Sequence, residues 1–161
     1  MVSIEPMNIR NLLPEDLQQL RKISQDAVLE SVNAPESEKP TIVEGIFDNL
    51  DKAGSSSIPG AFLTAEANQA LAGFILIKNY WNLSDLFVSP NLHGKGIGHA
   101  LWSAALLECE RHSEKNSVRV NSSLNAVMFY ESLGFRRIDL KIELPSWVVP
   151  LERQLSARRQ T

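Results

Sequence analysis

A single cysteine, Cys109, is all the thiol chemistry this sequence holds. One thiol excludes an internal disulfide and a cysteine-built metal site and fits a reducing compartment; lodged in a helical pattern, Cys109 reads as small core filler rather than as a nucleophile. Histidine is nearly as scarce. His93, His99 and His112 stand without ligand spacing, so no metal is expected. Long apolar runs are missing: none approaches the roughly 18 residues of a membrane span, and Met1-Val2-Ser3-Ile4-Glu5-Pro6 has neither a basic nor an apolar signal region. The expectation is a cytoplasmic protein with no membrane partner. An excess of positive charge is absent too. A net charge of −3 argues against a general nucleic-acid binder, and Arg153, Arg158 and Arg159 make only a locally basic tail.

What is present is enough for one buried core. With 161 residues and 43% hydrophobic composition, the chain is expected to form a single domain over 1–161. Asn8 to Leu12 alternates as a first strand. Pro14-Glu15-Asp16 opens a helix that the spacing of Leu17, Leu20, Ile23, Ser24, Ala27 and Val28 carries to about Ser31, and Ile42, Val43, Ile46, Phe47 and Leu50 predict a second, shorter one. Gly54 to Gly60 reads as a mobile loop. Ala61 to Glu66 and Leu71 to Lys78 predict a hairpin turning near Asn68-Gln69, and Gly73 to Ile77 is apolar enough for a central strand covered on both faces.

The next strand, Trp81 to Val88, carries a slip. Trp81 and Leu83 are apolar on the odd face and Leu86 and Val88 on the even, which a one-residue bulge near Ser84-Asp85 would produce; a strand buried on both faces would give the same string. After it come Ser89-Pro90, then Gly94, Gly96 and Gly98 at alternate positions, then a helix whose buried side is expected to be Ile97, Leu101, Ala104, Ala105 and Leu107, ending around His112 to Lys115. Strand, glycine loop and helix N-terminus together suit an anion such as a phosphate or pyrophosphate, against the plain reading of a tight turn, which the same glycines also serve. Glycine permits the left-handed angles that turn several N–H groups toward one spot, and the free N–H groups of the helix add partial positive charge. Neither a Rossmann first turn nor a nucleoside triphosphate loop fits: the first would follow the first strand, and no GxxxxGK[ST] run exists.

Ser117 to Val120 reads as a short strand and Asn121-Ser122-Ser123 as a source of N-cap oxygens for a helix beginning near Leu124 and ended by Gly134. Phe135 to Glu143 and Trp147 to Leu155 predict a terminal strand pair. The fold class is α/β (α+β).

Val88-x-Pro90, Gly94-x-Gly96-x-Gly98 and the segment from Asn125 through Phe129-Tyr130 to Gly134-Phe135 together resemble the GNAT superfamily of acyl-CoA-dependent N-acetyltransferases. The resemblance is sharp over Leu83 to Phe135. It implies a mixed, largely antiparallel sheet of about seven strands flanked by about four helices, with acetyl-CoA as cofactor and CoA as product. It further implies that backbone groups of Leu86, Phe87 and Val88, freed by a bulge, bind the pantetheine arm and thioester. The pyrophosphate would lie on the N–H groups of Gly94, Lys95, Gly96, Ile97, Gly98 and His99, with Lys95 adding charge and His93 standing where the family usually carries Arg or Gln. Tyr130 takes the place of the family's general acid. Ser123 stands where an asparagine is usual, and Asn121 or Asn125 is offered as its replacement at the pantetheine.

Asp85 is the candidate general base, directly or through a water, against the plain reading of a solvated or ion-paired aspartate. Asn82 lies where some relatives place a glutamate, and an amide cannot take a proton. The acceptor is a small-molecule or protein amine; a homodimer is left open. The competing function is a CoA-binding sensor or partner-binding module on the same fold, which Ser123, His93 and the lack of an evident base permit.

Overall fold

The computed structural model describes residues 7–156, so the N-terminal signal question and the tail residues Arg158 and Arg159 lie outside it. Its elements run β1 (Asn8–Asn11), α1 (Leu17–Ser31), α2 (Lys39–Gly54), β2 (Gly60–Ala67), β3 (Ala70–Lys78), β4 (Asn82–Val88), α3 (Ile97–His112), β5 (Ser117–Ser123), α4 (Val127–Ser132), β6 (Arg136–Arg137) and β7 (Val148–Gln154). Seven strands form one sheet in the order β1-β2-β3-β4-β5-β7-β6, and every pair is antiparallel except β4 with β5. Among the described residues, no helix is long and apolar enough to cross a membrane.

The sheet has a core on each face. Ile75, Ile77 and Leu83 pack with Ile97, Leu101, Trp102, Ala105 and Cys109 of α3, while Phe74 and Leu76 pack with Leu20, Ile23 and Val28 of α1 and Ile46, Leu50 and Ala53 of α2. Alternate β3 side chains therefore serve opposite cores, the reason for its unbroken apolar run. Next to β1 the chain is held by a half-buried ion pair: Arg10 grips both oxygens of the buried Asp16 at 2.8 and 2.9 Å, and the Leu13 amide donates to the same carboxylate. This bonding by Arg10 holds the Asp16 carboxyl below its ordinary pKa.

Several expectations give way to the structure. The second helix is longer than the first, with 16 residues against 15, because Pro40 sits in its first turn, where a missing N–H costs nothing, and polar residues continue it past Leu50. Gly54 and Gly60 consequently belong to α2 and β2, not to the loop. On α3, Leu107 is 59% exposed, and Trp102 and Cys109 fill the buried side with Ile97, Leu101 and Ala105. β5 extends to Ser123, whose side chain makes no capping bond to the turn that follows.

Only Arg136–Arg137 remains of the strand expected over Phe135 to Glu143. The Ile138 amide still donates to the Pro150 carbonyl at 3.1 Å, but Pro150 has no N–H to return, and the ladder stops there. Gly134 does close α4: at φ +96° it lets the Phe135 amide reach the Tyr130 carbonyl and its own amide reach that of Glu131.

Candidate active site

The bulge in β4 decides the shape of the site. Leu76 pairs with Asp85 and Ile77 with Leu83, which leaves Ser84 as the extra residue. The extra residue brings Leu83, Leu86 and Val88 to the α3 side and turns Phe87 to the α1/α2 side. Beyond it the sheet opens. β4 and β5 share only two rungs, Asn82 with Arg119 and Leu83 with Val120, and then part, so the edge of Leu86 to Val88 that faces β5 has no strand beside it. A backbone edge inside a protein needs a partner or solvent.

A cleft of about 850 Å³ fills this parting. Its size is ordinary for a site that takes a small molecule or cofactor. Leu86, Phe87 and Val88 line it from β4, Ser123 and Asn125 from the far side, and His93, Gly94, Gly96, Ile97, Gly98 and His99 from the glycine loop and the start of α3. Gly94 and Gly96 take φ of +79° and +84°, as the sequence requires of an N–H cradle, and a Cβ on either would meet nothing within 4 Å. The space above the loop is open. Lys95 is not among the residues lining the cleft.

Individual side chains carry more detail. His93 Nε2 donates to the Val88 carbonyl at 3.0 Å and so ties the loop back to the end of β4. His99 is exposed and meets Phe129 edge to face at 5.2 Å. A Cβ on Gly98 would lie 3.0 Å from the Phe129 ring, a tight contact that the ring would have to relieve by a small shift. Asn125 has both ends of its amide engaged across the cleft: Oδ1 accepts from the Asn33 amide at 3.2 Å, and Nδ2 donates to the Ser31 carbonyl at 2.5 Å. It thereby clasps the end of α1 to the turn before α4.

Tyr130 is 6% exposed, wedged edge to face between Phe129 and Phe135 with ring centres 5.5 Å from each. Its hydroxyl has no hydrogen-bond partner among the described residues, yet it is not sealed. Thr64 Oγ1 is the one fully enclosed side-chain polar atom without a partner among them. Burial first, and then the nearby Asp85 charge, raise the Tyr130 phenol above its ordinary pKa.

Asp85 does not line the cleft itself. It is 4% exposed, and its Oδ2 accepts from Ser84 Oγ at 2.7 Å and Asn49 Nδ2 at 2.9 Å. Burial pushes its carboxyl up to about 6 against the pull of those two donors and the more distant Lys78 charge. Cys109 is buried, and desolvation pushes its thiol up to about 12, so it is inert.

A family model described as an acetyltransferase (GNAT) domain matches residues 51–144, which takes in the bulged strand, the glycine loop and Tyr130. The chain belongs to the GNAT acetyltransferase family. Solved structures agree with this GNAT domain in fold. The PaiA N-acetyltransferase of Thermoplasma acidophilum, in complex with coenzyme A, is 23% identical, with 92% of this chain and 98% of that one covered and a TM-score of 0.73. An N-acetyltransferase from Staphylococcus aureus is 16% identical over 94% and 100%, with a TM-score of 0.71. YncA from Salmonella typhimurium, solved with its cofactor acetyl-CoA, is 19% identical over 96% of each chain, with a TM-score of 0.67. A search of curated proteins finds no match.

Sequence reasoning missed part of this GNAT cleft. Ala27, Ser31 and Val32 at the end of α1, with Leu92, Ala126 and Phe129, also line it. Ala27 sits in the same three-and-four stripe as the core residues of α1, so periodicity could not separate wall from core. Asn49 did leave a trace: it is a polar residue on the Ile46, Leu50, Ala53 face of α2.

Proposed function

We propose that this single-domain, cytoplasmic protein transfers an acetyl group from acetyl-CoA to a primary amine, with Tyr130 as general acid and Asp85 as general base. The observation that carries the reading is the cleft itself, where an unpaired edge of β4, a positive-φ glycine loop and Tyr130 share one cavity. The N–H groups of the loop and of the first turn of α3 receive the pyrophosphate, and the open room above Gly94 and Gly96 accommodates it. The free β4 edge at Leu86 to Val88 offers backbone groups to an extended amide-bearing arm, as a neighbouring strand would. Asn125 acts as a clasp on the cleft wall, with its amide already engaged.

Bound there, acetyl-CoA supplies an activated thioester carbonyl. Asp85, poised near neutrality, takes a proton from the acceptor ammonium. Backbone N–H groups on the free edge face the negative charge that develops on the carbonyl oxygen. Tyr130 then gives its proton to the departing sulfur. Proton capture by Asp85 assists that step, because it removes the negative charge that holds the phenol proton on.

The test is acetyl-CoA with a broad panel of primary amines and a free-thiol readout. Amine-dependent CoA release in the wild type, lost in Tyr130→Phe, is the expected result. Tight CoA binding with no turnover for any amine would sink the enzyme reading and favour a CoA-binding module.

A further inference from the structure

Asp85 is held in an asymmetric way that the proposed chemistry does not require by itself. Both of its hydrogen bonds converge on one oxygen, Oδ2, from two different elements: Ser84 is the bulge residue of β4 and Asn49 belongs to α2. Oδ1 accepts from none of the described residues, yet it is not an enclosed orphan, since Thr64 Oγ1 is alone in that condition among them. Asn49 is out of character with its surroundings. It shares a helix face with Ile46, Leu50 and Ala53, where an apolar side chain would pack without cost, so its amide is spent on the carboxylate.

We infer that Asn49 is a positioning residue for the acceptor reaction: with Ser84 it pins Oδ2 of Asp85, so that Oδ1 alone is presented to the acceptor ammonium and takes its proton. The inference rests on the reading of Asp85 as base. In the step, one N–H bond of the ammonium breaks, an O–H bond forms at Oδ1, and the lone pair left on nitrogen attacks the thioester carbonyl. Two donors lower the basicity of the oxygen they hold and stop rotation about the Cβ–Cγ bond, so the proton goes to a fixed place. The bulge thus has a second use. Besides freeing the edge of β4, its extra residue supplies one of the two donors.

The groups that bear on Asp85 are Asn49 from α2, Ser84 from its own strand, Lys78 from β3 and Tyr130 from α4. Both donors favour the ionised carboxylate, so loss of either should make Asp85 a weaker acid. The experiment is carboxyl-carbon NMR of aspartate-labelled protein across pH 4 to 8.5, with Asp85→Asn assigning the signal and Asn49→Ala and Ser84→Ala as the two tests. The Asp85 midpoint should move up by about half a unit or more in each.

In the amine assay, the acid limb of kcat should move with that midpoint. Rates at pH 6 should fall by about twofold or more and recover toward pH 8.5, with CoA affinity unchanged. A midpoint and an acid limb that both stay in place, in a protein whose Asp85→Asn variant is inactive, would overturn the inference and leave the base reading intact. An Asp85→Asn enzyme with full activity at every pH would overturn the base reading and the inference with it.

Discussion

Replacing Asp85 by asparagine should turn a pH-dependent liability into a constant. In the folded protein burial raises this carboxyl from 3.8 to about 6, so between those values the native state binds a proton more tightly than the unfolded chain does. Stability from this group is therefore complete below about pH 4, is lost as pH rises, and is gone above about pH 6. At roughly 1.4 kcal/mol per unit, the two-unit shift amounts to about 3 kcal/mol. Asparagine carries no charge at any pH. Its own fixed cost or benefit, including the fit of its amide beside Asn49 and Ser84, cancels when the difference between variant and wild type is followed against pH. That difference should climb by about 3 kcal/mol in the variant's favour from pH 4 to pH 7, or roughly 6–12 °C in Tm for a chain of this size. Urea titrations at half-unit steps, with m-values compared to check that both proteins unfold alike, measure it directly. A difference flat across the range would mean that Asp85 is ionised in the native state as easily as in water, and the account of its burial would fail.

Tyr130→Phe should lower kcat by about 10²–10⁴ while barely touching CoA affinity or stability, because the ring keeps its two aromatic neighbours and its hydroxyl has no described partner to lose. Stopped-flow or steady-state thiol release settles it, and full activity would remove the acid role. Gly96→Val should abolish the rise in Tm that acetyl-CoA gives the wild type, since a branched residue resists φ of +84°; an unchanged rise in a folded variant would take the loop out of the site. Thr64→Val should stabilise the protein by about 1 kcal/mol, because it replaces an enclosed hydroxyl that has no partner among the described residues by a methyl group of the same shape. Destabilisation in a denaturant titration would show that the hydroxyl is satisfied after all.

The readings that came through from sequence are those in which one residue type answers one local demand. Gly134 takes a positive φ, Gly94 and Gly96 turn, and of the two readings of the odd-to-even slip from Leu83 to Leu86 the structure has the bulge, with Ser84 as the extra residue. The misreadings depended on a distant partner. Ile138 to Glu143 alternates as a strand should, but whether it pairs is decided by Pro150, twelve residues further on from Ile138. The site divides in the same way. The glycine loop and the segment around Tyr130, both of which line the cleft, are each legible from neighbouring residues, whereas the hold on Asp85 joins residues 36 positions apart, and the Asn125 clasp spans more than 90.

The parting of β4 from β5 also bears on how the protein keeps itself from sticking to others. A sheet that exposes unpaired strand edges invites foreign strands, and proteins usually guard such edges with charge, proline or distortion. Here two such edges lie in the middle of the sheet rather than at its rim, hinged together by two rungs and walled by the ends of α1 and by the turn before α4. Those walls, tied to each other through Asn125, stand beside the edge that a foreign strand would have to reach. The edge that needs guarding is thus the same backbone to which the proposed function gives the cofactor's arm.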